Sequence, residues 1–508
     1  MQPLTMDKVG GGEMGINKRD LAKVLGGAAV AALPVSMAPA APPTQSSEKD
    51  LAFRTFRPSP AKTWDEQQLY QRGIEAVIWA MPAVSMAFFR DSAFKTYGVT
   101  YNDIIAFSHP AQPRHELLTS NAQVPYVFTF LDLRNGPVVM EIPAQNDKSL
   151  LYGQMVDAWQ VSIADIGPSG ADKGAGGKYL FTPPGWPGPA PDGYLHVPSQ
   201  SYRHAMMLRS VKKGDTTDED AHAYAQLIKV YRFADAAAPP KQKFVDAFQK
   251  AWDTLPHYNM RFYDHISDLV SVEPVRARDK VMMGMLRTVG IEPGKPFKPD
   301  ARAIEILEQS VLAGRALMEA FFEEWGRCMT PYWPDRQWGY VALDTKDLAE
   351  FSYETDAALL LDDRAGGMFY GATFLPKSLE GGGTFYLCSL RDAKGDLFKG
   401  QNTYRMRVDR DVPAREFWAI VAYDLDTKSY IFNDLNRGGL SSYDKPNMKV
   451  NSDGSVDILI APKAPPGVEG NWIPTSGRDF FLFFRFYGPQ KAVFDRSYKL
   501  PDVERVLS

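Results

Sequence analysis

The run Phe480-Phe481-Leu482-Phe483-Phe484-Arg485-Phe486-Tyr487 admits few folds. It is apolar at both parities, so as a strand it must be covered on both faces. Its neighbours supply the cover. Gln401 to Val408 alternates polar with apolar, as a half-buried strand does. Glu416 to Tyr423 is again apolar on both faces, and Asn451-Ser452-Asp453-Gly454-Ser455 reads as a turn before the strand Val456 to Ile460. The block Thr403 to Tyr498 is therefore predicted to be a set of packed strands. One charge interrupts its most apolar member. A buried guanidinium without a partner costs several kcal/mol, so Arg485 must reach a carboxylate or face a wet pocket.

A second β-rich stretch lies far upstream. Val127 to Arg134 and Pro137 to Ile142 flank Asn135-Gly136, a hairpin-type turn. Tyr152 to Ile166 reads as one long strand, followed by Lys178 to Phe181, Tyr194 to Pro198 and Ala205 to Ser210. Helical spacing marks Asp65 to Arg90, where Pro82 is expected to kink or end the helix. It also marks Asp218 to Arg232, Lys241 to Leu255, Val275 to Val289 with Gly290 as C-cap, and Asp300 to Arg327. The 508 residues suffice for two or three domains. The predicted fold is mainly β with a helical insert (α+β). Two β-sandwich or jelly-roll-like domains, 61–215 and 384–508, are joined by a helical and mixed region, 216–383.

The N-terminus reads as an export signal. Lys18-Arg19 precedes the short apolar run Val24 to Leu33, and Ala38-Pro39-Ala40 offers a cleavage site. The basic pair resembles a twin-arginine signal with lysine in the first position. Residues 1–40 are thus expected to direct export to the periplasm with cleavage near Ala40, and 41–60 to form a flexible linker. No other stretch suggests a span, so the mature protein is expected not to be membrane-spanning. A net charge of −4 argues against a nucleic-acid partner. Two cysteines, Cys328 and Cys388, make no disulfide framework, and no ligand spacing for zinc appears. The loop Gly167 to Gly177 lacks the Gly-Lys-Ser/Thr of a phosphate-binding loop. No metal or cofactor is expected, and nothing opposes assembly into a homo-oligomer.

Two sets of motifs resemble known families. Tyr152-x-Gln154-x-x-Asp157-Ala158-Trp159, Asp165-Ile166-Gly167, Gly176-Gly177-Lys178-Tyr179-Leu180 and Pro184-Gly185-Trp186 resemble the exported domain DUF1254. Phe417-Trp418, Tyr423-Asp424, Asn451-x-Asp453-Gly454-Ser455, Asn471-Trp472-x-Pro474 and Arg485-x-Tyr487-x-Pro489 resemble its usual partner DUF1214. The resemblance implies an N-terminal sandwich, a helical region, a C-terminal jelly-roll-like sandwich and export. It implies no activity. The family's Asn-Asn-Asp-Thr-Leu-Tyr-like stretch corresponds here to Ser120 to Tyr126, which keeps Asn121 and Tyr126 and lacks the aspartate.

Charges among aromatic residues mark the candidate site. On a single long strand, Asp157 and Asp165 would share an apolar face with Trp159, and perturbed carboxylates cluster at functional sites. Arg485 and Tyr487 share the parity of Phe481 and Phe483, where a guanidinium can clamp a carboxylate or sugar hydroxyl. We assign Asp157, Arg485 and Tyr487 as candidate catalytic residues. Asn121, Tyr126, Trp159, Asp165, Asn471 and Trp472 are candidates for substrate binding. His196 and His204 are further candidate bases. The expected activity is hydrolytic or eliminative, on a carbohydrate-like or other small polar substrate. The alternative is a non-catalytic periplasmic or envelope-associated protein that binds a small molecule or glycan.

Overall fold

Helix Trp64–Tyr97 is the element on which the others meet. The computed structural model describes residues 58–324, 329–340, 352–371 and 384–506. The expected signal and most of the linker, and Cys328, lie outside them. Thr63 caps the helix by accepting the Glu66 N–H, and Gly98 ends it in the left-handed conformation, φ 64°. From Ala76 to Phe89 every residue is buried, the pattern of a helix covered on all sides. Helices Met260–Val272, Lys280–Val289, Ala301–Glu323 and Leu361–Tyr370 all pack on it. It continues through Pro82 and does not end there. Buried donors brace this turn: Arg364 Nη2 bonds Trp79 O at 2.6 Å, and Gln160 Nε2 bonds Pro82 O at 2.7 Å. By length and composition the helix could cross a membrane, a possibility that its spacing alone did not raise. Yet 78% of its apolar window is buried by the rest of the chain, as in a core helix.

Each β-rich half is a sandwich of a six-stranded and a four-stranded sheet. In the first, the larger sheet runs Phe244–Asp246, Ile104–Ala106, Tyr126–Asp132, Arg203–Lys212, Ser149–Asp157, Ser162–Ile166. The smaller runs Lys229–Arg232, Val138–Ile142, Gly177–Thr182, Tyr194–Pro198. In the second, the larger sheet centres on Thr384–Ser389, Phe480–Pro489 and Ala414–Asp424, and the smaller on Val456–Ala461 and Thr403–Val408. Phe480–Pro489 is a central strand covered on both faces, as its composition requires. Phe480, Leu482, Phe484 and Phe486 fill the sandwich, while Phe481 and Phe483 join the core around the helices.

Four local expectations are corrected. The strands around Asn135-Gly136 are not a hairpin: Tyr126–Asp132 and Val138–Ile142 belong to different sheets, and the turn carries the chain between them. Tyr152 to Ile166 is not one strand but an antiparallel pair, reversing at Asp157 to Val161 with Gln160 at φ 60°. Asp157 and Asp165 therefore do not share a strand face. Lys241 to Leu255 contains no helix. Its Phe244–Asp246 adds in parallel to Ile104–Ala106, and Asp246 accepts the N–H groups of Ser108 and Phe248, which holds the chain in a turn. Asp218 to Arg232 divides into helix Asp218–Ala225 and edge strand Lys229–Arg232. Helices Met260–Val272 and Leu361–Tyr370 were not foreseen.

Both six-stranded sheets turn one face toward the helices. From the first come Tyr126, Phe128, Phe130, Ala205 and Met207, and from the second Val421, Tyr423, Phe481 and Phe483. Period-two alternation then sets the next residue on each face. Arg209 continues the parity of Ala205 and Met207, and Arg485 continues that of Phe481 and Phe483. Each sheet thus delivers one arginine to the layer between the sandwiches.

Candidate functional site

Between the two inward faces lies a cleft enclosing about 900 Å³, counting the open solvent within it. Its walls are mostly apolar, with Phe89, Phe128, Met207 and Phe483 among them, and its polar side chains include Tyr126, Tyr386, Arg209 and Arg485. The two arginines are mounted alike. Arg209 stands directly across the ladder from Tyr126, its guanidinium 5.8 Å from that ring. Arg485 stands across from Tyr386, 5.0 Å from the ring, and also lies over Tyr423 at 5.5 Å and Phe483 at 5.1 Å.

Among the described residues neither guanidinium has a carboxylate. Arg485 is 2% exposed and Arg209 8%. Arg485 Nη2 donates to Thr119 O at 2.5 Å, while its Nε and Nη1 bond nothing, and Arg209 Nε bonds nothing. Among the described residues, no ion pair engages either side chain. Burial opposes their charge. The phenol oxygens of Tyr423, Tyr487 and Tyr386 offset this at Arg485, and those of Tyr386, Tyr126 and Tyr487 at Arg209, so both hold their protons above the ordinary arginine value. A pair of buried like charges facing a cavity is unfavourable unless something anionic enters it.

Tyr386 lines the same cleft and feels the charge of both. Its hydroxyl has no hydrogen-bond partner, although Thr384 and Tyr487 are close beside it. Burial pushes its phenol up, but the charges of Arg209 and Arg485 outweigh burial and hold it below the usual tyrosine value. Tyr487 goes the other way: burial, and then the nearby Tyr386, raise it well above that value. Environments that push two like groups apart are a signature of acid–base division of labour.

The sequence-derived residues divide sharply. Tyr126 and Arg485 line the cleft, with Tyr487 packed behind, its ring stacked on Phe417 at 3.9 Å. Asn121 is buried below the rim, where its Oδ1 accepts from the N–H groups of Gln123 and Val124 and its own N–H donates to the Tyr126 hydroxyl at 2.7 Å. Asp157 is elsewhere, in a smaller hollow of about 450 Å³ with His204, Arg203 and Asp268. Its carboxylate is fully engaged there. It accepts the N–H groups of Trp159 and Val161, closing the hairpin, and pairs with Arg276 at 2.6 Å. Arg203 and Asp268 pair likewise, and His204 Nε2 meets Ser199 Oγ at 2.7 Å. Burial pushes His204 down to about 4, so it is neutral. Trp159 packs edge-on against Trp79, with Arg364 over its ring, and Asp165 accepts from Gln154. Asn471 ties down Lys449 and Asp457 through three backbone hydrogen bonds, and Trp472 Nε1 bonds Ala461 O. His196 is exposed, against Thr182. Asp157, Trp159, Asp165, Asn471 and Trp472 line no part of the cleft. Arg209 and Tyr386 were missed. Arg209 carried the signal that singled out Arg485, a charge in the parity of apolar strand residues.

Among the described residues no cluster of three or more His, Cys, Asp or Glu side chains is placed to hold a metal ion.

Comparison with known proteins agrees with the motifs. Residues 101–232 match the family described as protein of unknown function (DUF1254), and residues 383–491 that described as protein of unknown function (DUF1214). These are the two families the sequence resembles, in the same order. No curated protein matches. The crystal structure of the VPA0106 protein from Vibrio parahaemolyticus is similar, with a TM-score of 0.54 at 18% identity, over 86% of this chain and 100% of that one. This shows a shared fold alone. A crystal structure of an uncharacterized protein from Burkholderia cenocepacia aligns over 87% of this chain and 95% of its own at 11% identity and a TM-score of 0.38, too low to carry an argument.

Proposed function

We propose that this is an exported protein whose central cleft takes a small carboxylate with an apolar or sugar-like body. One observation carries the reading: Arg209 and Arg485, each nearly inaccessible and without an acidic partner among the described residues, converge from different sheets on one cavity. A planar carboxylate is the complement of such guanidinium groups, and the aromatic walls suit the rest of the molecule. Of the two functions weighed from sequence, both require such a ligand. The eliminative reading fits the cleft better than a hydrolytic one built on a carboxylate, because the candidate catalytic acid Asp157 does not line it. Export rests on the pattern from Lys18 to Ala40.

The test is a thermal-shift and calorimetric panel of benzoate, glucuronate and succinate against benzyl alcohol and glucose. A ligand that binds only the folded state raises the unfolding temperature with concentration. Carboxylates are expected to stabilise the protein, and their neutral counterparts are not. Equal responses from both sets, or none from either, overturn the reading.

A further inference from the structure

Resting on that reading, we infer that Tyr386 is the catalytic base of a β-elimination, and that the substrate is a carboxylate bearing an oxygen leaving group on the carbon β to it, the arrangement of a 4-linked uronate. The geometry sets the order of events. Arg485 and Tyr386 are directly opposed on neighbouring strands and share one face, so a carboxylate held by the guanidinium places its α-carbon beside the phenol. Arg209 closes on the same point from the other sheet. Tyr386 lines the cleft, and its hydroxyl is buried with no hydrogen-bond partner, the state of a group that can meet something absent from the protein itself.

The chemistry balances with these groups alone. The phenolate oxygen of Tyr386 takes the α-hydrogen as a proton. The electrons of the broken C–H bond form a double bond to the β-carbon. The C–O bond at that carbon breaks, and the departing oxygen keeps its pair. It takes the proton back from the Tyr386 phenol, which returns to phenolate. The products are an alcohol and an α,β-unsaturated carboxylate. The difficulty of removing such a proton lies in the negative charge spreading onto the carboxylate. Two buried guanidiniums line the cleft that would hold that charge. The same two charges favour the phenolate at pH values where an ordinary tyrosine is protonated.

Incubation of the full-length protein with oligogalacturonate and oligomannuronate tests this by the ultraviolet absorbance of the conjugated acid. Exchange of the α-hydrogen in deuterated water is followed in parallel. Tyr386→Phe keeps the ring under Arg485 and removes only the hydroxyl. It is expected to lower turnover and exchange by about 100-fold or more, the usual contribution of a positioned base. Its affinity for glucuronate should stay within about 3-fold of the unaltered protein. The rate of the unaltered protein should rise with pH and level off below the ordinary tyrosine range. If the variant turns over normally, the base is another group. If glucuronate binds but neither exchange nor the unsaturated product appears with either oligomer, the elimination is wrong and the carboxylate site stands. If no carboxylate binds, both fail.

Discussion

Replacing Arg485 by methionine separates a ligand site from architecture. In the unliganded protein the guanidinium contributes one charge-assisted hydrogen bond, to Thr119 O at 2.5 Å, worth about 1.5–3 kcal/mol. Its position over Tyr386, Tyr423 and Phe483 adds about 2 kcal/mol. Against these stands the desolvation of a charge that no carboxylate offsets, several kcal/mol in effect. The terms nearly cancel, and methionine fills the volume with an apolar chain. The expected change in unfolding free energy is within about 2 kcal/mol of zero, of either sign. Binding behaves differently. Truncating one partner of a buried charge pair costs about 2–5 kcal/mol, so the affinity for glucuronate should fall by about 30-fold to several thousand-fold. Urea unfolding without ligand and calorimetric titration with glucuronate measure the two quantities on the same preparation. Stability lost by more than about 3 kcal/mol together with unchanged glucuronate affinity would show that Arg485 holds the fold and meets no ligand.

Three further outcomes rest on the geometry. Asp157→Ala leaves the half-buried Arg276 with only Ser201 Oγ and frees the N–H groups of Trp159 and Val161, so stability should drop by about 3 kcal/mol. The protein that remains folded should bind glucuronate at the cleft unchanged; loss of binding without loss of stability would return Asp157 to the site. His204, pushed down to about 4 by burial, is neutral when folded and titrates near 6.5 when unfolded. Its stabilisation is therefore complete above about pH 6.5 and disappears as pH falls toward 4, up to about 3 kcal/mol. His204→Gln should flatten this part of a stability–pH curve, and an unaltered slope refutes the assignment. At Gly153 an added Cβ would lie 2.0 Å from Met207 O. Gly153→Ala should thus force the Arg209 strand away from its neighbour and lose about 3 kcal/mol or more, measured by urea unfolding.

Much of the fold was legible because composition and parity act locally. Phe480 to Tyr487 could only be a doubly covered strand, and Gly290 and Asp300 marked a helix end and a helix start that the structure keeps. The failures are places where distant partners decide. Pro82 stays within its helix through donors more than 70 residues away in sequence, Gln160 and Arg364. Lys241 to Leu255 has helical spacing but offers an edge strand to Ile104–Ala106. At the site, Arg485 was visible as a charge without a local reason. Asp157 was equally visible, yet its reason is Arg276, which no spacing rule connects to it. Sequence shows that a charge is buried. Whether it is already answered from within is a three-dimensional fact.

The mounting of one arginine on each sandwich has a last consequence. Neither half of the chain owns a complete binding site, so a bound carboxylate would act as a clasp between them. Occupancy and the docking of the halves are then linked equilibria, and each strengthens the other. A saturating ligand should therefore protect the helical segment between the sandwiches from proteolysis, at positions beyond Tyr353, Gly367, Tyr370 and Gly371, which line the cleft.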